Sequence, residues 1–296
     1  MVTNEFKTYH PIINLIYFTF ATGVTMLVMH PVFVVISLCC SLCYSAVCSG
    51  KSGMKTILCL LPFVLLASLI NPLFNHEGAT IITYFPNGNP LTMEAIFYGF
   101  ISSLMIMSLI SWFGCINKTM TSDKILYLFG RIIPSLSLIL SMTLRFIPQF
   151  KKQFVETMNA RKCIGKGITD GTPFNRFKNI ISVFSAMVSR SLENSIDSAN
   201  SMKSRGYGLP GRSSFSIFRF DNRDIHLLIV FIILGAYITV GIVQKRADFT
   251  FYPIIGQADM SVHFVGIATA FALFCMTPLI IEAKEAIRWK FLKSKI

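Results

Sequence analysis

Residues 132–147 read IIPSLSLILSMTLRFI, and the topology of the whole chain turns on this stretch. Its apolar run ends at Arg145, short of the roughly 20 apolar residues that cross a bilayer, and Pro134 and Pro148 stand near its ends. Counted as a span, it would put most of a strongly basic middle segment outside the cell. Basic loops stay on the cytoplasmic side, so the stretch is read as a helix lying along or dipping into the cytoplasmic face.

The surroundings support that reading. The chain has 296 residues, of which 53% are hydrophobic and 14% charged, with a mean hydropathy of +0.61. Soluble proteins carry about 25% charged residues, so much of this surface is built to face lipid. The net charge is nevertheless +13. An apolar chain with surplus base is a membrane protein with basic cytoplasmic loops rather than a nucleic-acid binder. Six spans are read at about 11–29, 31–49, 56–74, 94–114, 225–243 and 263–281. The first run lacks a small-residue cleavage site and is read as a retained span. Residues 50–55 (GKSGMK) carry two lysines and the tail EAKEAIRWKFLKSKI is basic, whereas 75–93 carry no Lys or Arg. These loops put both ends inside, and only Lys245 and Arg246 run against the rule.

Three parts follow: a membrane domain over 1–117 with four spans, a cytoplasmic domain over 118–224, and a second membrane domain over 225–296 with two spans and the basic tail. The fold class is therefore an all-α integral membrane protein with about six transmembrane helices and a cytoplasmic domain of long, crossed amphipathic helices. Residues 118–223 hold 17 Lys and Arg against 6 Asp and Glu, a net +11. Anionic lipid attracts such bases but does not require an ordered pattern. Phe177, Ile181, Phe184, Val188, Leu192, Ile196, Ala199 and Met202 recur every three or four residues, the spacing of one helix face. A helix over 174–205 would be about 48 Å long. A second is drawn from Ser122 to about Lys162, bent near its prolines, with CIGKGITDGTPF at 163–174 as the break and Pro173 suited to the next first turn.

Each long helix then ends in an arginine ahead of glycines: ARKCIGKG at 160–167 and SRGYGLPG at 204–211. Two readings stand side by side. The arginine complements the helix dipole, worth under about 1 kcal/mol, or it is a docking knob with five donors, of the kind whose truncation costs about 2 kcal/mol or more at an interface. The duplication favours docking, because a paired motor needs two handles.

Residues 191–216 (SLENSIDSANSMKSRGYGLPGRSSFS) closely resemble the transmembrane T component of energy-coupling factor (ECF) transporters. NPLFNHEG at 71–78, the Tyr-Gly at 98–99 and LRFIPQF at 144–150 resemble it too. The resemblance implies a scaffold, with no catalytic, cofactor or metal site of its own. Ala160-Arg161-Lys162 and Ser204-Arg205-Gly206 would engage two ATP-binding ABC ATPase subunits. Phe177, Ile181, Phe184, Val188, Leu192 and Ile196 would meet a separate substrate-binding S-type membrane subunit, for uptake of a vitamin or transition-metal ion across the prokaryotic plasma membrane. The first motif departs from the family pattern, with Lys162 after the arginine and the glycine delayed to Gly165. The apolar face is expected to cross the first long helix as well as to face that subunit.

Other chemistry finds little support. GKSG at 50–53 lacks the glycine five positions earlier that a phosphate loop needs. The five histidines form no HxxxH or HExxH pattern, there is no GxSxG, and the eight cysteines lie mostly in apolar runs. Glu94 and Asp224 sit near span ends, where a proton-relay role is the minority reading. A conventional permease or carrier that binds its own substrate is the alternative. It would show intramembrane charges or inverted repeats, and an ordinary ABC permease uses one coupling helix where this chain has two.

Overall fold

The computed structural model describes residues 5–84, 88–167, 172–207, 209, 218–256 and 261–293. Gly208, Pro210–Arg212 and residues 168–171 of the two glycine-rich helix-end stretches lie outside them. A 3-10 turn, Glu5–Thr8, leads into α1 (Pro11–Leu27), α2 (Pro31–Ser49) and α3 (Lys51–Phe74). A short antiparallel hairpin, β1 (Ile81–Tyr84) with β2 (Pro90–Thr92), precedes α4 (Met93–Thr119). Then come α5 (Ser122–Ile132), α6 (Pro134–Cys163), α7 (Pro173–Ser204), α8 (Asn222–Val243) and α9 (Val262–Lys293). The protein is an all-α integral membrane protein.

Helices stand at all six expected span positions. Among the described residues α4, α8, α9 and the Pro31–Cys48 stretch of α2 are long and apolar enough to cross a membrane, while Pro11–Leu27 and Leu58–Phe74 are shorter apolar helices. Residues 134–147 form the first half of α6 rather than an element of their own. The drawn helix over 122–162 is two, interrupted at Ile133 just before Pro134, because proline disfavours helical backbone in its predecessor. The 50–55 loop shrinks to a single residue: Gly50, at φ 52°, is the last cap of α2 and the first of α3, so Lys51 and Lys55 belong to α3. That backbone suits glycine alone.

Two compact units divide the chain, one from residues up to 125 with those from 218 onward, the other from 126–217. In the first unit α3 and α2 pack on α4, and α2 and α8 on α9. Tyr17, Phe18, Trp112, Phe231 and Phe274 form its aromatic centre, with Tyr17 and Phe274 stacked at 5.3 Å. Several buried polar groups here pair with one another inside the bundle, as a lipid environment favours, although among the described residues Ser111 Oγ and Glu282 Oε1 are buried without a partner. Tyr17 Oη donates to Cys275 O at 2.9 Å, Trp112 Nε1 to Ser37 Oγ at 2.9 Å, and Ser37 links Thr25 and Ser108 at 2.7 and 2.8 Å. Two His-Pro pairs start helices: His10 and His30 each accept a backbone N–H through Nδ1, from Ile12 at 3.3 Å and Val32 at 3.2 Å, ahead of a proline at the first helical position. Glu94, in the first turn of α4, is buried and accepts from Thr80 N at 3.1 Å. Its carboxylate thus holds the hairpin to α4, which accounts for the residue without a relay.

Gly99 explains the Tyr-Gly pair. A Cβ there would stand 2.8 Å from Ser68 O and 2.9 Å from Asn71 Cβ, so glycine sets the approach of α3 to α4. Gly99→Val is expected to destabilise the unit by about 1–3 kcal/mol. Gly114→Ala, which meets nothing within 4 Å on the same helix, should stay within about 0.5 kcal/mol. Thermal unfolding of both variants in detergent checks this, and equal melting temperatures would sink the account.

Candidate coupling site

In the second unit α6 packs against α7. Gln153 on α6 and Val183 on α7 are buried, and Asn179, Ser182 and Met187 beside Val183 are half-buried. Asn179 Nδ2 donates to Gly167 O at 2.9 Å, fastening the chain after α6 to the start of α7. This buried line does not coincide with the apolar stripe. Phe177, Ile181, Phe184, Val188, Leu192 and Ile196 are all exposed, Phe184 by 66% although its neighbour Val183 is 0% exposed. The stripe was expected to serve both the crossing and an outside partner. The crossing instead uses a line rotated away from it, and the six apolar side chains stay uncovered by their own unit.

Both helices close with the same backbone device. At the end of α6, Gly165 N donates to Lys162 O at 3.0 Å and Lys166 N to Arg161 O at 3.0 Å, with Gly165 at φ +72°. At the end of α7, Gly206 N donates to Lys203 O at 3.1 Å and Tyr207 N to Met202 O at 3.1 Å, with Gly206 at φ +75°. These are Schellman closures, in which a left-handed residue, usually glycine, lets two amides turn back onto the last carbonyls. Pairing them cap for cap shows what the sequence concealed. Arg205 sits directly before its left-handed glycine, and the residue in that place on α6 is Ile164. Arg161 occupies the place that Met202 holds on α7, while Lys162 matches Lys203. Relative to the helix end, Arg161 therefore lies one step of three residues earlier, about 4.5 Å back along the axis and about 60° around it. The two arginines are not equivalent handles.

Their settings differ as well. Arg161 is half-buried and lines a cavity of about 590 Å³ with Ile164, Lys166, Asn175, Lys178, Asn179 and Ser182. Among the described residues that lining holds three cations and no carboxylate, beside the amino end of α7, so it suits an anionic group. Ala160 and Lys162 are exposed. Arg205 and Ser204 are exposed and Gly206 half-buried. This second end carries one further base, the exposed Lys203, and an apolar side: Met202 and Tyr207 are half-buried, and Leu209 Cδ1 lies 3.2 Å from where a Gly206 Cβ would be. Gly206→Ala would force an alanine into left-handed backbone, at a cost of about 1 kcal/mol. Faster amide exchange confined to 202–207 is the expected signature, with exchange at Gly165 unchanged.

Comparison with known proteins agrees with this architecture. Residues 4–217 match the family model CbiQ, described as cobalt transport protein. The energy-coupling factor transporter transmembrane protein EcfT of Lactobacillus helveticus is 32% identical over 112 residues, which cover 38% of this chain and 40% of that protein. Longer matches reach the EcfT proteins of Listeria innocua, 26% identical over 187 residues (58% of this chain, 69% of the other), and of Exiguobacterium sibiricum, 26% over 194 residues (62% and 72%). The chain thus spans about two fifths of the Lactobacillus relative's length and about seven tenths of the other two. With long amphipathic helices ending in paired arginine caps and with helices apolar enough to span a bilayer, the chain belongs to the CbiQ family, the transmembrane T components of ECF transporters.

Proposed function

We propose that this chain is the coupling scaffold of an ECF-type ABC importer. It carries ATP-driven motion of two ATPase subunits to a separate membrane subunit that binds the substrate, a vitamin or a transition-metal ion. The observation that carries the reading is the pair of arginine-bearing caps, one on each long helix of a single unit. Arg161, with Ala160 and Lys162, takes one ATPase, and Arg205, with Ser204 and Gly206, takes the other. The exposed stripe from Phe177 to Ile196 meets the substrate-binding subunit, since an uncovered apolar face of this length marks an interaction surface. ATP hydrolysis belongs to the partners, and this chain is the non-catalytic subunit. Both chain ends and residues 118–224 lie on the cytoplasmic side of the cell membrane, as the basic loops require.

The test is reconstitution. Co-expressed with a pair of ABC ATPases and a substrate-binding membrane subunit, the full chain should retain all three through purification, and uptake into proteoliposomes should need every component. Uptake by this chain and ATPases alone would replace the reading with that of a conventional permease.

A further inference from the structure

The first unit holds a buried lysine that the coupling reading does not use. Lys124, near the start of α5, is 3% exposed. Its Nζ donates to Lys7 O at 2.5 Å and to Tyr9 O at 3.3 Å. The surrounding donors and acceptors orient the Asn14 amide so that its oxygen takes a third bond from Lys124 Nζ at 2.6 Å while its nitrogen donates to Phe6 O at 3.2 Å. One ammonium thereby collects three oxygens from the turn before α1 and from α1 itself. The same turn grips the start of α8: His10 N donates to Asp224 Oδ1 at 3.4 Å, the His10 ring lies 4.7 Å from that of Phe220, and the Arg223 guanidinium sits 5.7 Å over the Tyr9 ring. Asp224 Oδ2 also accepts from Asp221 N at 3.1 Å.

The position matters more than the number of bonds. The chain leaves the first unit at 125 and returns to it at 218. Lys124 is the residue before the exit, and Phe220 to Asp224 follow the return. Both crossings are thus fastened to residues 7–14. We propose that Lys124 is a positioning residue for transport: its buried ammonium locks the two crossings to one turn, so that motion of the second unit is delivered to the membrane helices instead of being absorbed in slack linkers. This rests on the coupling function above.

The charge environment gives the lock a pH range. Burial and the Lys7 ammonium pull the Lys124 pKa down from its usual value to about 8, against the attraction of Asp224. Of the other ionisable groups around this turn, the Tyr9 phenol is held above its ordinary range by its own burial, with Arg223, Asp224, Glu5 and Glu285 acting on it, so it stays neutral where Lys124 titrates. Above pH 8 the folded chain begins to hold Lys124 neutral while the unfolded chain keeps it charged. Its contribution to stability therefore rises with pH in that window, whereas the ammonium's grip on three oxygens weakens. Burial also raises the Glu282 carboxyl, hydrogen-bonded to the Phe6 backbone in the same turn, to about 7. The titration of Lys124 itself costs the fold nothing above pH 8, and unfolding followed at each pH separates a loss of coupling from a loss of fold.

The experiment uses the full complex in proteoliposomes and reads substrate taken up per ATP hydrolysed. In Lys124→Met the complex should assemble and hydrolyse ATP, with uptake per ATP down at least tenfold at pH 7. The wild-type ratio should fall at least threefold between pH 7 and 9, and the variant's should stay flat. An unchanged ratio in the variant, or parallel pH profiles, overturns the proposal. Should Lys124→Met fail to insert, Asn14→Leu removes one acceptor and keeps the ammonium; it should lower the ratio two- to fivefold, and no change overturns the proposal equally. Failure of the underlying reading looks different, because a wild-type complex would then not transport at all.

Discussion

Arg205→Glu is expected to lower ATPase capture by about 30-fold or more, while Arg161→Glu alone lowers it by no more than about fivefold. The inequality follows from the two settings. Arg205 is exposed at the end of α7 beside Met202, Tyr207 and Leu209. Among the described residues of that cap the other base, Lys203, lies two residues earlier and about 200° around the helix, so it does not stand in for Arg205. Losing such an anchor and installing the opposite charge costs about 2 kcal/mol or more at an interface, which is about 30-fold in affinity. Arg161 shares its cavity with Lys166 and Lys178. A single reversal there leaves two cations to hold a partner's anionic group, and only Arg161→Glu with Lys166→Glu should match the loss at Arg205. Quantitative pull-down of purified ATPases on membranes holding equal amounts of each variant measures both. Equal losses from the two single reversals would show that the helix-end register is irrelevant, and no loss from either would reduce both arginines to dipole complements.

The difference between the two ends was not legible in the sequence for a specific reason. After Arg161 the sequence offers glycines at 165 and 167, and after Arg205 at 206 and 208; either of each pair could take the left-handed position. Which one does is decided by the amides that turn back, and these leave no mark on side-chain types. Apolar periodicity, by contrast, located a helix at each expected span and the length of α7 within a few residues, because side-chain burial and lipid exposure act on composition directly. It missed that α9 continues past 281 to Lys293, where the residues turn polar. The same periodicity misjudged how α7 is used. Val183 stands next to Phe184 in an apolar run, and spacing alone cannot say which line of a helix meets α6. The Lys124 lock was invisible for a third reason: two of its acceptors are backbone carbonyls more than a hundred residues away, and a carbonyl has no residue code. Gly99 belongs to a stretch whose resemblance was legible and Glu94 was legible only as an ionisable group near a span end; their physical roles, close helix approach and hairpin anchoring, depend on partners distant in sequence.

The second large effect concerns the uncovered face. Phe184→Glu with Leu192→Glu should abolish capture of the substrate-binding subunit, by about 100-fold or more, while leaving the chain's own unfolding within about 0.5 kcal/mol per site. Both side chains are more than 60% exposed, so their replacement removes little that the chain itself buries, and surface changes of this kind are nearly neutral for folding. In an apolar interface the same two carboxylates must be desolvated without partners, at several kcal/mol for the pair. Val183→Glu gives the contrasting pattern: Val183 is 0% exposed, and a carboxylate there should disrupt the α6–α7 packing and with it both caps, so that the ATPases are lost together with the third subunit. Asn194→Glu, off the stripe on the same helix, should change neither. Affinity purification through the substrate-binding subunit, with ATPase retention read in parallel, separates the three outcomes. Retention of that subunit by the doubly substituted face would remove the stripe from the interface and leave the length of α7 to be explained by the bilayer surface.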